Sequence, residues 1–300
     1  MIKAFPSIKK LAQAAEDDLM RQWQGLGYYS RARNLHKAAK EIMSQHHGRI
    51  PKTYDELIQL PGIGPYTAAA ISSFAFGERR AVVDGNVYRV LSRYHAIDTP
   101  INSGPARQLF TGLAMNMLGE EDPAAFNQAI MNLGAQICTP KNPICADCPL
   151  STDCQAYADS TQHLFPVKRK KKPIRERYFH YLDIHYKTKT VIEKRREKDI
   201  WQGLYQFPLI ERNSSRALPR QVIESYLVQQ IGTTQVDVHG ITEVNRQILS
   251  HQHIHARFYK ISVFESPKPA KSNYTLVFRK NLKTFAFPRS VTLYLHSIKE

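Results

Sequence analysis

Leu60-Pro61-Gly62-Ile63-Gly64-Pro65-Tyr66 separates two helical patterns, and its reading decides the first half of the chain. Before it, Thr53 with Glu56 three residues on makes a capping-box pattern that opens a helix over 54–60. After it, a helix resumes over 66–76. The prolines and glycines between break the pattern, and glycine lets a backbone turn sharply and come close to a ligand. The second helix then offers unpaired N–H groups at its start, an arrangement that suits a phosphate. A helix–hairpin–helix of this kind grips a phosphate backbone without reading bases. Gly-x-Gly between helices is common by itself, so its neighbours have to give it weight.

Downstream, helical patterns cover 105–118 and 124–137, with Pro105 suited to a first helical position. Upstream, Ser7 can cap a segment running to about Trp23, and Ser30 a second one carrying Leu35, Ala38, Ala39, Ile42 and Met43 at helical spacing. The four cysteines of the chain, Cys138, Cys145, Cys148 and Cys154, follow in a C-x6-C-x2-C-x5-C run. Such bunching fits one metal site. Four thiolates close a tetrahedral zinc shell or hold a [4Fe–4S] cluster, and the residues alone leave that choice open.

Charge points the same way as the hairpin. The 300 residues hold 42 Lys and Arg against 26 Asp and Glu, a formal net charge of +16. That excess attracts polyanions, with nucleic acid ahead of an anionic membrane. No apolar stretch approaches the roughly 18 residues that span a bilayer, and no apolar signal region follows Met1. The expectation is a soluble intracellular protein of two domains.

Residues 161–177 change character, with Val167-Lys168-Arg169-Lys170-Lys171-Lys172-Pro173 at their centre. They read as a basic linker that does not bury. Beyond it the period drops to two over 178–186, 255–264 and 274–278, with a helical pattern near 219–230 between them. That is an α+β module.

Between hairpin and cysteines lies Val82-Val83-Asp84-Gly85-Asn86. Asp84 reads equally as a helix N-cap and as a carboxylate that steadies a cation developing on a deoxyribose. Both readings stay open.

Taken in order, the hairpin, Asp84 and the cysteine run resemble the endonuclease III superfamily of DNA glycosylases, and within it the MutY-type adenine glycosylase family. Gly25-Leu26-Gly27-Tyr28-Tyr29-Ser30-Arg31 and Phe126-Asn127-Gln128-Ala129 are similar to further segments of that family. The resemblance implies an all-α helix-hairpin-helix glycosylase domain over 1–160, with its hairpin at 54–76 and an iron–sulfur loop at 138–154. The linker 161–177 and a MutT/Nudix-like α+β domain over 178–300 follow.

The resemblance further implies a [4Fe–4S] cluster on Cys138, Cys145, Cys148 and Cys154. Asp84 is then the sugar-stabilising carboxylate, with Tyr66 and Asn86 in support. Gly62, Gly64, Leu26, Tyr28 and Gln128 would be DNA contacts, and Leu26 and Tyr28 a wedge into the duplex. Bifunctional relatives carry a lysine where this chain has Tyr66, and tyrosine cannot form an imine, so the expected enzyme is a monofunctional glycosylase.

In the second domain, Trp201-Gln202-Gly203-Leu204-Tyr205-Gln206-Phe207-Pro208 is similar to a segment of the MutT-like module that recognises 8-oxoguanine. Leu249-Ser250-His251 matches that module's phenylalanine–serine–histidine loop with leucine replacing phenylalanine, which makes Ser250 the candidate contact to the oxidised base. His253 and His255 read as surface residues, not as metal ligands. The pattern around Gln221–Leu227 lacks the glutamates that hold Mg²⁺ in a hydrolase, so this domain is expected to bind and not to hydrolyse.

The resemblance places the family's general-acid glutamate well upstream of the Gly25–Tyr29 segment, at a position that would fall before Met1, so the expectation is a chain that begins inside the domain and lacks that acid. The expectation is a monomer that binds double-stranded DNA carrying A:8-oxoguanine or A:G mismatches but releases adenine poorly. Its setting would be the cytoplasm, associated with a bacterial nucleoid. A non-catalytic lesion-binding protein and an endonuclease III-like pyrimidine glycosylase are the rival readings.

Overall fold

The computed structural model describes residues 1–170, 173–270 and 272–298. Lys171 and Lys172 of the expected linker therefore lie outside the described residues. The helical elements of the first half are α1 (Ile8–Gln13), α2 (Glu16–Trp23), α3 (Tyr29–Gln45), α4 (Tyr54–Leu57) and α5 (Pro65–Phe76). They continue with α6 (Gly85–Tyr94), α7 (Gly104–Leu118), α8 (Pro123–Gln136) and the short α9 (Gln155–Ala158). The second half holds β1 (Arg175–Tyr186), β2 (Lys189–Lys194), β3 (Tyr205–Gln206), β4 (Leu209–Arg212) and α10 (Arg220–Tyr226). It ends with β5 (Val236–Ile248), β6 (Gln252–Val263), β7 (Tyr274–Phe278) and α11 (Arg289–Ser297).

By contacts the chain forms two compact units, Met1–Lys40 with Lys172–Glu300, and Glu41–Lys171. One division between the units falls within 161–177, and the first forty residues pack with the second half of the chain and not with 41–160. Leu19, Met20, Tyr29 and Ala32 join the buried cluster of Phe179, Trp201 and Phe207. Lys194 and the Tyr205 hydroxyl both bind the Asp17 carboxylate, at 2.5 and 2.9 Å.

The expected segment from Ser7 to Trp23 is two helices, because Ala14 and Ala15 are extended between them. Ser7 caps the first as expected, accepting from the Lys10 N–H. Ser30 does not cap α3: the helix already begins at Tyr29, one residue after Tyr28 has turned the chain at φ +45°. The helix at 54–60 stops at Leu57.

In the unit Glu41–Lys171 the core is Val87, Val90 and Leu91 of α6 against Ala106, Phe110 and Ala114 of α7 and Ile130 of α8. Gly134 lets α8 come close to α6, since a Cβ there would lie 2.6 Å from the Asn86 Cβ. Asn127, fully buried on α8, accepts from the Val82 N–H at 2.8 Å and donates to Ser73 Oγ and the Arg80 carbonyl. That single side chain fastens α5 and the strand-like stretch leading to Asp84.

In the other unit β3-β2-β1-β6-β5 form one mixed sheet, with β4 also on β1 and β7 also on β2. β1 and β6 run parallel, Arg175 opposite Gln252. β1 is buried on both faces, as its near-continuous apolar run requires. Phe179 and Tyr181 pack with Val291 and Tyr294 of α11, while Leu182 and Ile184 pack with Ile223 of α10. The expectation that 161–177 stays solvated fails at its end: Arg177 enters β1 and buries, because Asp199 and Glu211 both receive its guanidinium. Among the described residues no helix is long and apolar enough to cross a membrane.

Candidate functional site

Gly62 takes φ +82°, the left-handed conformation the hairpin turn needs. Gly64 is the N-cap of α5 and supplies no side-chain cap, so the first N–H groups of this twelve-residue helix lack an intrahelical partner. Tyr66 stands in the first turn of α5 and is 45% exposed. A tyrosine so placed is available to a ligand held by the turn.

Asp84 is the N-cap of α6, and the same geometry serves the other reading. Its Oδ1 accepts from the Asn86 and Val87 N–H groups, each at 2.8 Å, which fixes the carboxylate. Its Oδ2 accepts from Asn86 Nδ2 at 3.1 Å. Asn86 is fixed in turn, because its Oδ1 accepts from Arg89 Nη2 at 2.9 Å. Arg89 also donates to the Gly134 carbonyl and, through Nε, to the Cys138 carbonyl at 2.7 Å. The cap thus fixes the carboxylate, and its bonds run on through Asn86 and Arg89 to the start of the cysteine run.

Cys138, Cys145, Cys148 and Cys154 line one cavity, with Val90, Leu133, Ile137, Ile144 and Leu150 among its walls. Burial pushes the Cys145 and Cys154 thiols up, and the neighbouring thiols add to it. Arg93, nearly fully buried, donates to Cys138 Sγ at 3.3 Å and to the carbonyls of Thr139, Pro140 and Gln162. Its positive charge opposes the rise at Cys145 without cancelling it. Among the described residues no three or more His, Cys, Asp or Glu are gathered as a ligand set for one metal ion. The four thiols nevertheless share that cavity, and four thiolates are the donor chemistry that a cluster requires.

The other unit carries a separate cleft of roughly 470 Å³, lined by Leu26, Tyr28, Arg33, Trp201, Ser250 and Arg289 among others. Two expected DNA contacts and the expected base-reading serine therefore meet in one place. Gly25, Gly27 and Tyr28 all take positive φ, so the loop throws its side chains outward. Leu26 is 58% and Tyr28 69% exposed, which rules out simple local packing as their role. Trp23 Nε1 braces the loop by donating to the Gly27 carbonyl at 2.9 Å. Asp199, the acid of this cleft, lies below its ordinary range: burial would raise it, but Arg177 and Arg195 hold it down.

Gln128 is placed differently from Asn127. Its amide donates to Asn132 on the exposed face of α8, so among the described residues the expected DNA contact is bonded only within its own helix. His253 and His255 both bind the Glu176 carboxylate, at 2.8 and 2.6 Å. Sequence reasoning missed Arg89, Arg93 and Arg289. The first two stand at i and i+4 on α6, a signal that a search for buried charges facing the cysteines would have found.

The chain matches the description "HhH-GPD superfamily base excision DNA repair protein" over residues 1–113 and "NUDIX domain" over 180–297. It is 33% identical over 307 residues to the adenine DNA glycosylase of Buchnera aphidicola subsp. Baizongia pistaciae, covering all of this chain and 83% of that protein. The chain belongs to the adenine DNA glycosylase family. The same enzyme of Buchnera aphidicola subsp. Schizaphis graminum is 40% identical over 207 residues, 69% of this chain and 60% of the relative. The human adenine DNA glycosylase is 44% identical over 156 residues, 52% of this chain. There the match spans 29% of the relative's length.

Proposed function

We propose that this chain excises adenine mispaired with 8-oxoguanine or guanine from double-stranded DNA by hydrolysing the N-glycosidic bond. The observation that carries the reading is the fixed Asp84 carboxylate, whose three hydrogen bonds all come from its own helix start. As adenine departs, positive charge develops on the sugar. A carboxylate about 4 Å away at an effective dielectric near 20 stabilises it by about 4 kcal/mol. That is roughly a thousandfold in rate.

Tyr66 and Asn86 support this site, Asn86 by holding Oδ2 and Tyr66 by presenting a hydroxyl that cannot form an imine. The hairpin at Gly62 and Gly64 grips a phosphate through backbone donors. Gln128, exposed on α8, completes the proposed DNA contacts of this unit. Leu26 and Tyr28 enter the duplex, and Ser250 reads the base opposite adenine. Cys138, Cys145, Cys148 and Cys154 would hold a [4Fe–4S] cluster, which locks the loop after α8 in place.

The departing adenine also needs a proton. Glu56 is engaged by Thr53, Glu78 by the Tyr54 N–H and Arg80, Asp55 by Arg80, and Glu120 by Arg79, so none of the four is assigned that task. General acid catalysis is worth typically about 10²–10⁴-fold, so release is expected to be slower by that order than it would be with such an acid in place. Single-turnover release and equilibrium binding on the same cluster-loaded preparation test the reading. Selective binding with release abolished by Asp84→Asn supports it. Selective binding with no release in any variant makes the protein a lesion-binding one, and no selectivity at all removes the reading.

A further inference from the structure

Ser250 sits in a turn between β5 and β6, closed by the Leu249 N–H donating to the Gln252 carbonyl at 2.9 Å. Three side chains stand behind it in a row. Arg177 Nη1 lies 3.3 Å from Gln252 Oε1, Gln252 Nε2 lies 3.1 Å from His251 Nε2, and His251 Nδ1 lies 3.1 Å from Ser250 Oγ. Arg177 and Gln252 are buried, while His251 and Ser250 face solvent.

The direction of every bond in the row follows from its buried end. A guanidinium can only donate, so the Gln252 oxygen must face Arg177 and its NH2 must face His251. Gln252 donates there, so His251 Nε2 accepts. The neutral imidazole then carries its proton on Nδ1, which donates to Ser250 Oγ. Arg177 cannot swing away, because Glu211 and Asp199 each receive it through two oxygens at 2.7–2.9 Å.

The geometry points to Gln252, held by Arg177, as a positioning residue that leaves Ser250 with both a hydroxyl proton and a lone pair free for the base it reads. This rests on Ser250 being that reader. 8-Oxoguanine and guanine differ at N7 and C8: the first carries hydrogen on N7, and the second has a bare N7 acceptor there. A hydroxyl with a proton and a lone pair both free meets either edge, accepting from N7–H or donating to bare N7. Were the His251 proton on Nε2 instead, Nδ1 would take the Ser250 proton. Ser250 would then be an acceptor only, matched to 8-oxoguanine and mismatched to guanine. The relay is thus what lets one serine serve both mismatches.

Gln252→Glu reverses the row. A carboxylate still receives Arg177, but it can only accept from His251, which draws the proton to Nε2. The first measurement needs no variant: nitrogen-15 NMR of the imidazoles at about pH 8, where an unperturbed histidine is neutral. The Nδ1–H tautomer is expected at His251, and an Nε2–H tautomer in the native protein overturns the assignment. In Gln252→Glu the tautomer should switch, and affinity for an A:G duplex should fall about tenfold, one hydrogen bond's worth. Affinity for A:8-oxoguanine should change less than about threefold, and Gln252→Asn, which keeps an amide facing His251, should retain the Nδ1–H form and A:G binding together. Equal losses on both duplexes, or a switched tautomer with A:G binding intact, overturn the proposal. Should Ser250→Ala leave both affinities unchanged, the reading of the base by Ser250 falls instead.

Discussion

Replacing Asp84 separates its two roles, because asparagine keeps one and loses the other. Oδ1 accepts two N–H groups at 2.8 Å and caps α6. Asparagine and aspartate are equally good N-caps, so Asp84→Asn should lose only the bond from Asn86 Nδ2 to Oδ2, about 0.5–1.5 kcal/mol, which Asp84→Ala loses too. Asp84→Ala loses the cap, at about 1 kcal/mol, and should melt lower by roughly 2–4 °C. Both variants remove the charge, so both should lose about 4 kcal/mol of sugar-cation stabilisation. The expected rates of adenine release are then equal in the two, each about a thousandfold below native. The assay is single-turnover release from an A:8-oxoguanine duplex, with thermal melts of the same samples. Release by Asp84→Asn near the native rate would refute the electrostatic role and leave Asp84 a cap alone.

Gly134→Ala would set a Cβ 2.6 Å from that of Asn86, roughly 1 Å inside normal contact. Overpacking of about 1–3 kcal/mol is partly offset by about 1 kcal/mol of helix propensity, so release should fall well before urea stability does. Asn127→Ala strands the buried Val82 N–H and Arg80 carbonyl and should cost about 2–4 kcal/mol in urea unfolding, whereas less than about 1 would contradict the pinning role. Arg289 begins α11, whose first turn holds no acid, and it faces the cleft with Ser250. Arg289→Gln should therefore lower the slope of log affinity against log salt by about 0.9, equally for both mismatches. Asp183 is held below its ordinary range: burial alone would raise it, but His185 and Arg279 outweigh that. Its stabilisation is present above the unfolded value near 3.9 and lost as pH falls through the lower folded value. Asp183→Asn should thus destabilise at neutral pH, and its deficit should shrink in acid.

The hairpin and the cysteine run were legible because each rests on residue types with few alternatives: glycine for a left-handed turn, bunched thiols for a shared cavity. Asp84 was legible only as two competing readings; the structure shows the cap, and its hydrogen bonds also fix the carboxylate that the proposed chemistry uses. The strands β2 to β5 were not read, because short or irregular strands carry too little alternation. Nor could pattern reveal that Leu19, Met20 and Tyr29 pack with Trp201 and Phe207, since a helix's apolar face does not name its partner. Arg177 looked like part of a solvated basic run, and only its two carboxylate partners, 22 and 34 residues away, explain its burial.

The most direct measurement is a paired one on the cluster-loaded protein: binding to A:8-oxoguanine, A:G and fully matched duplexes, with adenine release followed under single turnover. The account predicts tight binding to both mismatches, weak binding to matched DNA, and a slow release that Asp84→Asn abolishes. Equal binding to all three duplexes with no adenine released would contradict it.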